Sequence, residues 1–205
     1  MKIVAIGAEK GGAGKTTTTL YLATRAADRL RCPDGRPRVA IVDRDTPRQL
    51  TKEWTARPHI RRDDILLMPD GTLPSANSGI EVVLIDTPPG RDALPSLEDA
   101  HTIVIPCPTT DLGVNALPTY IRRVEERIVT LAPHMRLVAI VPTQFKPRAL
   151  SHQDHLEDIK DIAARHQPPL LVLPAIQDRV RVQELRMSAP DYDAAAEELF
   201  RHATL

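Results

Sequence analysis

The sequence predicts an α/β fold, a mostly parallel, twisted β-sheet with helices on both faces. Three observations point to it. Short runs rich in Val and Ile, without polar alternation, recur at residues 3–6, 39–42, 82–85, 102–105, 137–141 and 170–173; strands buried on both faces read this way. Longer segments with helical spacing lie between or after them, at 16–30, 47–56, 114–131, 151–166 and 191–202, and strands that alternate with helices build parallel sheets covered on both sides. Prolines mostly follow the apolar runs, as at Pro69, Pro88, Pro89, Pro106, Pro142 and Pro174, so the nineteen in the chain punctuate loops and do not mark disorder. The least regular stretch, 69–79, mixes Pro, Gly, Ser and Asn and reads as a surface loop. No internal repeat or linker interrupts the 205 residues, so 1–205 is expected to form a single domain, long enough to bury a core.

Composition narrows the function. Aromatic residues make up 3% of the chain, too few for a reader that stacks nucleobases on aromatic platforms. The formal net charge is zero, which argues against a bulk polyanion binder, although a basic patch on one face survives such averaging. Cys32 and Cys107 have no CxxC partner and give neither a disulfide framework nor a zinc site, so they read as reduced thiols. The opening apolar stretch is too short for a leader peptide, and no run approaches the ~20 residues that span a bilayer. The expectation is a cytoplasmic chain with no membrane partner.

The first apolar run leads through Gly7-Ala8-Glu9 into Lys10-Gly11-Gly12-Ala13-Gly14-Lys15-Thr16-Thr17 and then into a helical segment. Strand, glycine loop and helix in that order make a phosphate cradle. Glycines let backbone N–H groups converge on phosphate oxygens, and the helix aims its positive end at the same anion. Lys15 supplies a charge for the β- and γ-phosphates, and the Thr16 hydroxyl suits Mg²⁺. Two further apolar runs end in carboxylates. The second is followed by Asp43-Arg44-Asp45-Thr46-Pro47 and the third by Asp86-Thr87-Pro88-Pro89-Gly90. Ligands of open α/β sheets sit beyond the carboxyl ends of the strands, so these aspartates are expected at the same site. Asp86 reads as a magnesium carboxylate of the Walker B kind. The competing structural role for Asp45 is that of a helix N-cap.

The standard GxxxxGK[ST] pattern is not met, because Glu9 stands where its first glycine would be; a lysine directly precedes the glycine pair instead. This KGGxGKT arrangement resembles the deviant Walker A motif of the ParA/MinD ATPase family. The resemblance implies a P-loop NTPase fold, ATP hydrolysis, and ATP with Mg²⁺ as ligands. It makes Lys10 to Thr17 the nucleotide loop, with Lys10 reaching across an ATP-dependent homodimer to the partner's ATP. Residues 43–49 resemble the family's switch I, DxDPQ, with one residue inserted before Pro47 and Arg48 separating it from Gln49. By that match Asp45 orients the attacking water and Asp43 joins Thr16 and Asp86 around the metal, while Lys10, Lys15 and Asp45 carry the catalysis. Residues 86–90 resemble switch II. Residues 106–111, read as a loop after a strand, resemble one near the nucleotide and dimer contact. Residues 174–179 lie where relatives place adenine, with Pro174 and Asp178 as base contacts.

Within the family the chain looks most like the small ParF-type ParA proteins of plasmid or chromosome segregation. Nine residues before Lys10 leave no room for the helix-turn-helix of larger ParA proteins. The acidic segment 191–200 does not match the membrane-targeting tail of MinD. No cysteine pair suits an iron–sulfur cluster between subunits, and Trp54 fits the small-ParA pattern. This branch implies non-specific binding of double-stranded DNA on a nucleoid and a centromere-binding partner of the ParB or ParG kind. The DNA contacts expected from basic side chains are Lys146, Arg148, Arg179, Arg181 and Arg186. Two alternatives stay open, a P-loop biosynthetic ligase and a positioning ATPase for another cargo.

Overall fold

The computed structural model describes residues 1–131, 137–179, 182 and 189–203. Seven strands form one sheet: β1 (Lys2–Ile6), β2 (Val39–Asp43), β3 (Ile65–Met68), β4 (Val82–Asp86), β5 (Thr102–Pro108), β6 (Leu137–Thr143) and β7 (Leu171–Val172). Their order is β3-β2-β4-β1-β5-β6-β7, and every pairing is parallel. The helices are α1 (Lys15–Arg29), α2 (Gln49–Ala56), α3 (Leu94–Leu97), α4 (Asp111–Leu131), α5 (Leu150–Arg165) and α6 (Pro190–Ala203), with 3-10 turns at Pro58–Ile60 and Gly90–Ala93.

The two-sided burial read from the apolar runs has a direct cause in β1. Val4 and Ile6 join a core with α1, α2 and α6, through residues such as Leu20, Trp54 and Leu199. Ile3 and Ala5 face the opposite core, with Leu97, Leu117 and Ile159 from α3, α4 and α5. Successive side chains of a strand point to opposite faces, so a strand covered twice must be apolar throughout. Tyr21 of α1 and Tyr192 of α6 stack with centroids 4.3 Å apart, and the Tyr192 hydroxyl lies 3.1 Å from Thr18 Oγ1. Leu84, in the middle of β4, is fully buried. Leu84→Ala is therefore expected to lower unfolding free energy by roughly 2–5 kcal/mol in urea denaturation, because the cavity it leaves cannot fully collapse.

The structure departs from the sequence reading at several points, among them the short helix α3, which no expected helical segment covered. Strand β3 was not among the expected runs; it is the sheet edge, only partly buried, and its residues Ile65–Met68 lack the Val–Ile density of a central strand. Residues 106–108 belong to β5 and not to a loop. Strand β1 pairs with β5 only as far as Val104, so Pro106 and Pro108 lie where β5 keeps β6 as its one neighbour and a missing N–H is tolerated. Helix α4 begins at Asp111, ahead of the expected start. Gly113 makes that start fit, since a Cβ there would come within 2.1 Å of the Pro108 carbonyl oxygen.

Candidate nucleotide site

Lys10 to Thr17 connects β1 to α1 at the carboxyl edge of the sheet. Gly14 occupies the N-cap of α1 with φ 95°, a left-handed conformation that glycine adopts without steric cost, and no side chain caps the helix. The first intrahelical bond runs from Thr18 N–H to the Gly14 carbonyl at 2.8 Å. The amides of Lys15, Thr16 and Thr17 thus have no acceptor within the helix. The first turn holds no acidic residue, so the positive end of the helix is not offset by its own carboxylates.

A cleft of about 600 Å³ opens over this helix end. Gly11, Gly12, Gly14, Lys15, Thr16 and Thr17 form its floor, Asp45, Thr46, Pro47 and Gln49 one wall, and Pro88, Pro89 and Asp92 another. Two expected loop members stand apart from it. Ala13 is buried, and its carbonyl accepts a hydrogen bond from Thr143 Oγ1 at 3.1 Å. Lys10 is exposed and lines a different cavity, between the loop and α4. Lys15 is 7% exposed; burial lowers its pKa, with Asp86 and then Asp45 opposing that shift.

Register places Asp43 directly beside Asp86 at the ends of β2 and β4, yet the two carboxylates are engaged differently. Asp86 Oδ2 accepts the Thr16 hydroxyl at 2.6 Å, while Oδ1 is buried with no hydrogen-bond partner. Burial pushes the Asp86 carboxyl up to about 7, against the Thr16 bond and the Lys15 charge. An orphaned carboxylate oxygen beside a hydroxyl, under a lysine, fits a magnesium ion that arrives with phosphate. Asp43 has no such spare oxygen. Its Oδ2 accepts the Thr51 N–H at 2.8 Å and the Thr51 hydroxyl at 2.6 Å, and its Oδ1 accepts the Asp45 N–H at 3.2 Å. The carboxylate fastens the first turn of α2, so the capping role weighed for Asp45 belongs, in this geometry, to Asp43. The N-cap position itself is Arg48, at φ 51°, whose guanidinium donates to the Asp43 carbonyl. Asp45 is instead a wall of the phosphate cleft. Asp43→Ala is expected to cost roughly 1–2 kcal/mol by denaturation while leaving the Mg²⁺ dependence of nucleotide binding unchanged; a metal role for Asp43 would shift that dependence.

A second cleft of about 280 Å³ continues past Gly12, Gly14 and Thr17. Thr143, Gln144, Ile176, Gln177, Asp178 and Tyr192 line it. Asp178, one of the two expected base contacts, lines this second cleft, whereas Pro174 is exposed and outside it. Gln144 was missed by the sequence reading. It holds φ 56°, and its side-chain amide donates to the Gly12 carbonyl at 2.8 Å, tying the end of β6 to the phosphate loop. No glycine or proline marks the position, so its positive φ left no trace in the sequence. Glu9 was also missed as a brace: it pairs with Arg123 of α4 beside the arm that carries Lys10. Residues 87–90 are tethered to the end of β1 and to the same arm, since Gly90 N–H donates to the Ala8 carbonyl at 2.9 Å and the Thr87 hydroxyl to the Ile6 carbonyl at 2.8 Å.

Of the basic candidates, Lys146 lies 3.6 Å from Asp178 and Arg179 lies 3.5 Å from Asp191, so their charges are partly neutralised at the rim of the second cleft. Arg148 is exposed. Arg181 and Arg186 fall outside the described residues. No described helix is long and apolar enough to cross a membrane.

A parallel sheet with a glycine loop joining its central strand to a helix, and carboxylates closing β4 beside that strand and β2 beyond it, defines a P-loop NTPase-like domain. Over residues 4–189 the chain matches the model of the CobQ/CobB/MinD/ParA nucleotide binding domain, and it belongs to that family of nucleotide-binding ATPases. None of the curated proteins matches it significantly. Among solved structures, a cobyrinic acid a,c-diamide synthase from Mycobacterium smegmatis with bound ATP analog and magnesium is similar at TM-score 0.76 and 22% identity, over 100% of this chain and 96% of that one. An McdA variant from Cyanothece in complex with ATP gives TM-score 0.76 at 17% identity, covering 100% and 97%. MinD from Aquifex aeolicus gives TM-score 0.69 at 16% identity, covering 100% and 95%. A Borrelia burgdorferi B31 protein classed as a plasmid partition protein, bound to AMPPNP, gives 0.70 at 16%, covering 98% of each chain.

Proposed function

We propose that the chain is an ATP-dependent DNA-partition ATPase, acting in plasmid or chromosome segregation. Two copies close on two ATP molecules, the closed dimer holds non-specific double-stranded DNA, and a centromere-binding protein of the ParB or ParG kind stimulates hydrolysis and release. The observation that carries this reading is the placement of Lys10. Its side chain is exposed, lines the cavity beside α4 and is absent from the lining of its own subunit's phosphate cleft. A cation so placed suits a triphosphate bound to another copy, where it offsets charge on the transferring phosphoryl group. Within each copy Lys15 and the free amides of α1 hold the phosphates, and Asp45 stands on the cleft wall to orient the attacking water. Thr16 and Asp86 hold the magnesium ion, which when bound neutralises phosphate charge.

Phosphate contacts by Lys and Arg make DNA binding steeply salt-dependent. In a gel shift on random duplex DNA at low salt, retardation is expected with ATP and not with ADP. DNA left unshifted in both would remove the DNA half of the reading. The rival reading, a biosynthetic ligase, draws on the Mycobacterium smegmatis relative and predicts ADP release that depends on a small-molecule substrate. A positioning ATPase for other cargo shares the chemistry of the first reading and differs in the partner recovered with the chain.

A further inference from the structure

We infer that Arg44, which stands between Asp43 and Asp45, is a positioning residue for hydrolysis: it braces the cleft wall that carries Asp45 against the segment that follows the opposite wall. The inference rests on the reading of Asp45 as the group that orients the attacking water, and it adds what holds Asp45 in place. Asp45 lines the phosphate cleft and Arg44 does not. The Arg44 side chain turns to the back of the loop instead. Its Nη1 donates to Asp99 Oδ2 at 2.8 Å and its Nε to the Gly71 carbonyl at 3.0 Å, while its backbone N–H donates to the Asp86 carbonyl at 2.9 Å. One residue thus meets three segments: the end of β4, the turn after β3 and the turn after α3.

Three features give this arrangement a bearing on the site. The first is what the ion pair joins. Asp99 lies two residues beyond α3, and α3 directly follows the turn Gly90–Ala93, whose Asp92 lines the opposite wall of the cleft with Pro88 and Pro89. The pair therefore links the two walls behind the nucleotide position. The second is exposure. The Arg44 and Asp99 side chains are 21% and 42% exposed, and a pair so open to water adds little to global stability; its effect falls on local geometry. The third is the platform under the loop. Gly71 has φ 82°, and a Cβ there would lie 3.3 Å from Arg48 Nη1 and from the Asp43 carbonyl oxygen, and 3.4 Å from Arg44 Cγ. Both arginines lie close on this turn, and Arg48 also donates to the Asp43 carbonyl. Arg48 N–H donates in turn to the Asp45 carbonyl at 3.0 Å. The stretch that carries Asp45 is thus pinned on both sides, by Arg44 before it and Arg48 after it.

The test measures steady-state ATP hydrolysis in Mg²⁺, fluorescent ADP binding and urea denaturation. It compares the full-length chain with Arg44→Ala, Asp99→Ala, the double variant and Asp45→Ala. In Arg44→Ala, kcat is expected to fall by about 10- to 100-fold, the scale of a misplaced catalytic group, while KM, ADP affinity and the urea midpoint stay as in the unmodified chain. Asp99→Ala lowers kcat as well, and the double variant falls no further than Arg44→Ala, because the two side chains act as one pair. Asp99→Ala leaves the Arg44 bond to Gly71 in place, so it carries the test if Arg44→Ala fails to fold. An unchanged kcat in the variants that fold overturns the inference alone. Losses that multiply in the double variant, or an ADP affinity that falls with kcat, do the same. An Asp45→Ala chain that hydrolyses ATP at full rate overturns the reading of Asp45 and this inference with it.

Discussion

Lys15→Ala is expected to weaken binding of ATP and ADP alike, by roughly 10- to 100-fold in a calorimetric titration, the range for losing a hydrogen bond to a charged group. Lys15 is nearly buried at the start of α1, flanked by Asp86 and Asp45. Its removal takes away the cation that faces the phosphates and leaves two carboxylates at the anion's site without their nearest positive charge. The loop's other donors survive, because the amides of Thr16 and Thr17 belong to the backbone; some affinity therefore remains. Nucleotide affinity that is unchanged in this variant would mean that the 600 Å³ cleft is not the phosphate site.

Lys10→Ala is expected to behave in the opposite way. ADP affinity stays as in the unmodified chain, since Lys10 is not part of its own subunit's phosphate cleft. Partner-stimulated hydrolysis falls by about 10³-fold or more, on the scale of removing a cation supplied in trans to a phosphoryl transfer. The two lysines, five residues apart in one loop, thus separate binding from catalysis. A Lys10→Ala chain that loses ADP affinity as Lys15→Ala does would place Lys10 in its own pocket and contradict the division.

The sequence made the loop and the two-sided sheet legible because each depends on local rules. Val and Ile runs report strands buried twice, and glycines before Lys15 and Thr16 report a backbone that must approach an anion. Strand β3 stayed hidden although Ile65–Met68 are all apolar, because the run holds one β-branched residue where the central strands hold several. The role of Asp43 stayed hidden for another reason. Its position at a strand end suggested a ligand, but which way a carboxylate turns depends on the donors that fold against it. Here those are the N–H and hydroxyl of Thr51, eight residues on and across a turn that contains an inserted residue. Asp86 was readable in the same pattern, yet its distinguishing feature, one oxygen bonded to Thr16 and one orphaned, exists only once β4 lies beside β1. Gln144 and the Glu9–Arg123 pair are likewise contacts between distant segments, and no spacing in the chain announces them.

Light scattering on the unmodified chain and Lys10→Ala, each with Mg²⁺-ATP and with ADP, tests the claim that one copy's lysine completes the other's nucleotide site. The expected outcome is twice the monomer mass only for the unmodified chain with ATP, and a monomer in the other three samples. A unmodified chain of one mass in ATP and ADP, or a Lys10→Ala chain that dimerises fully with ATP, would contradict it.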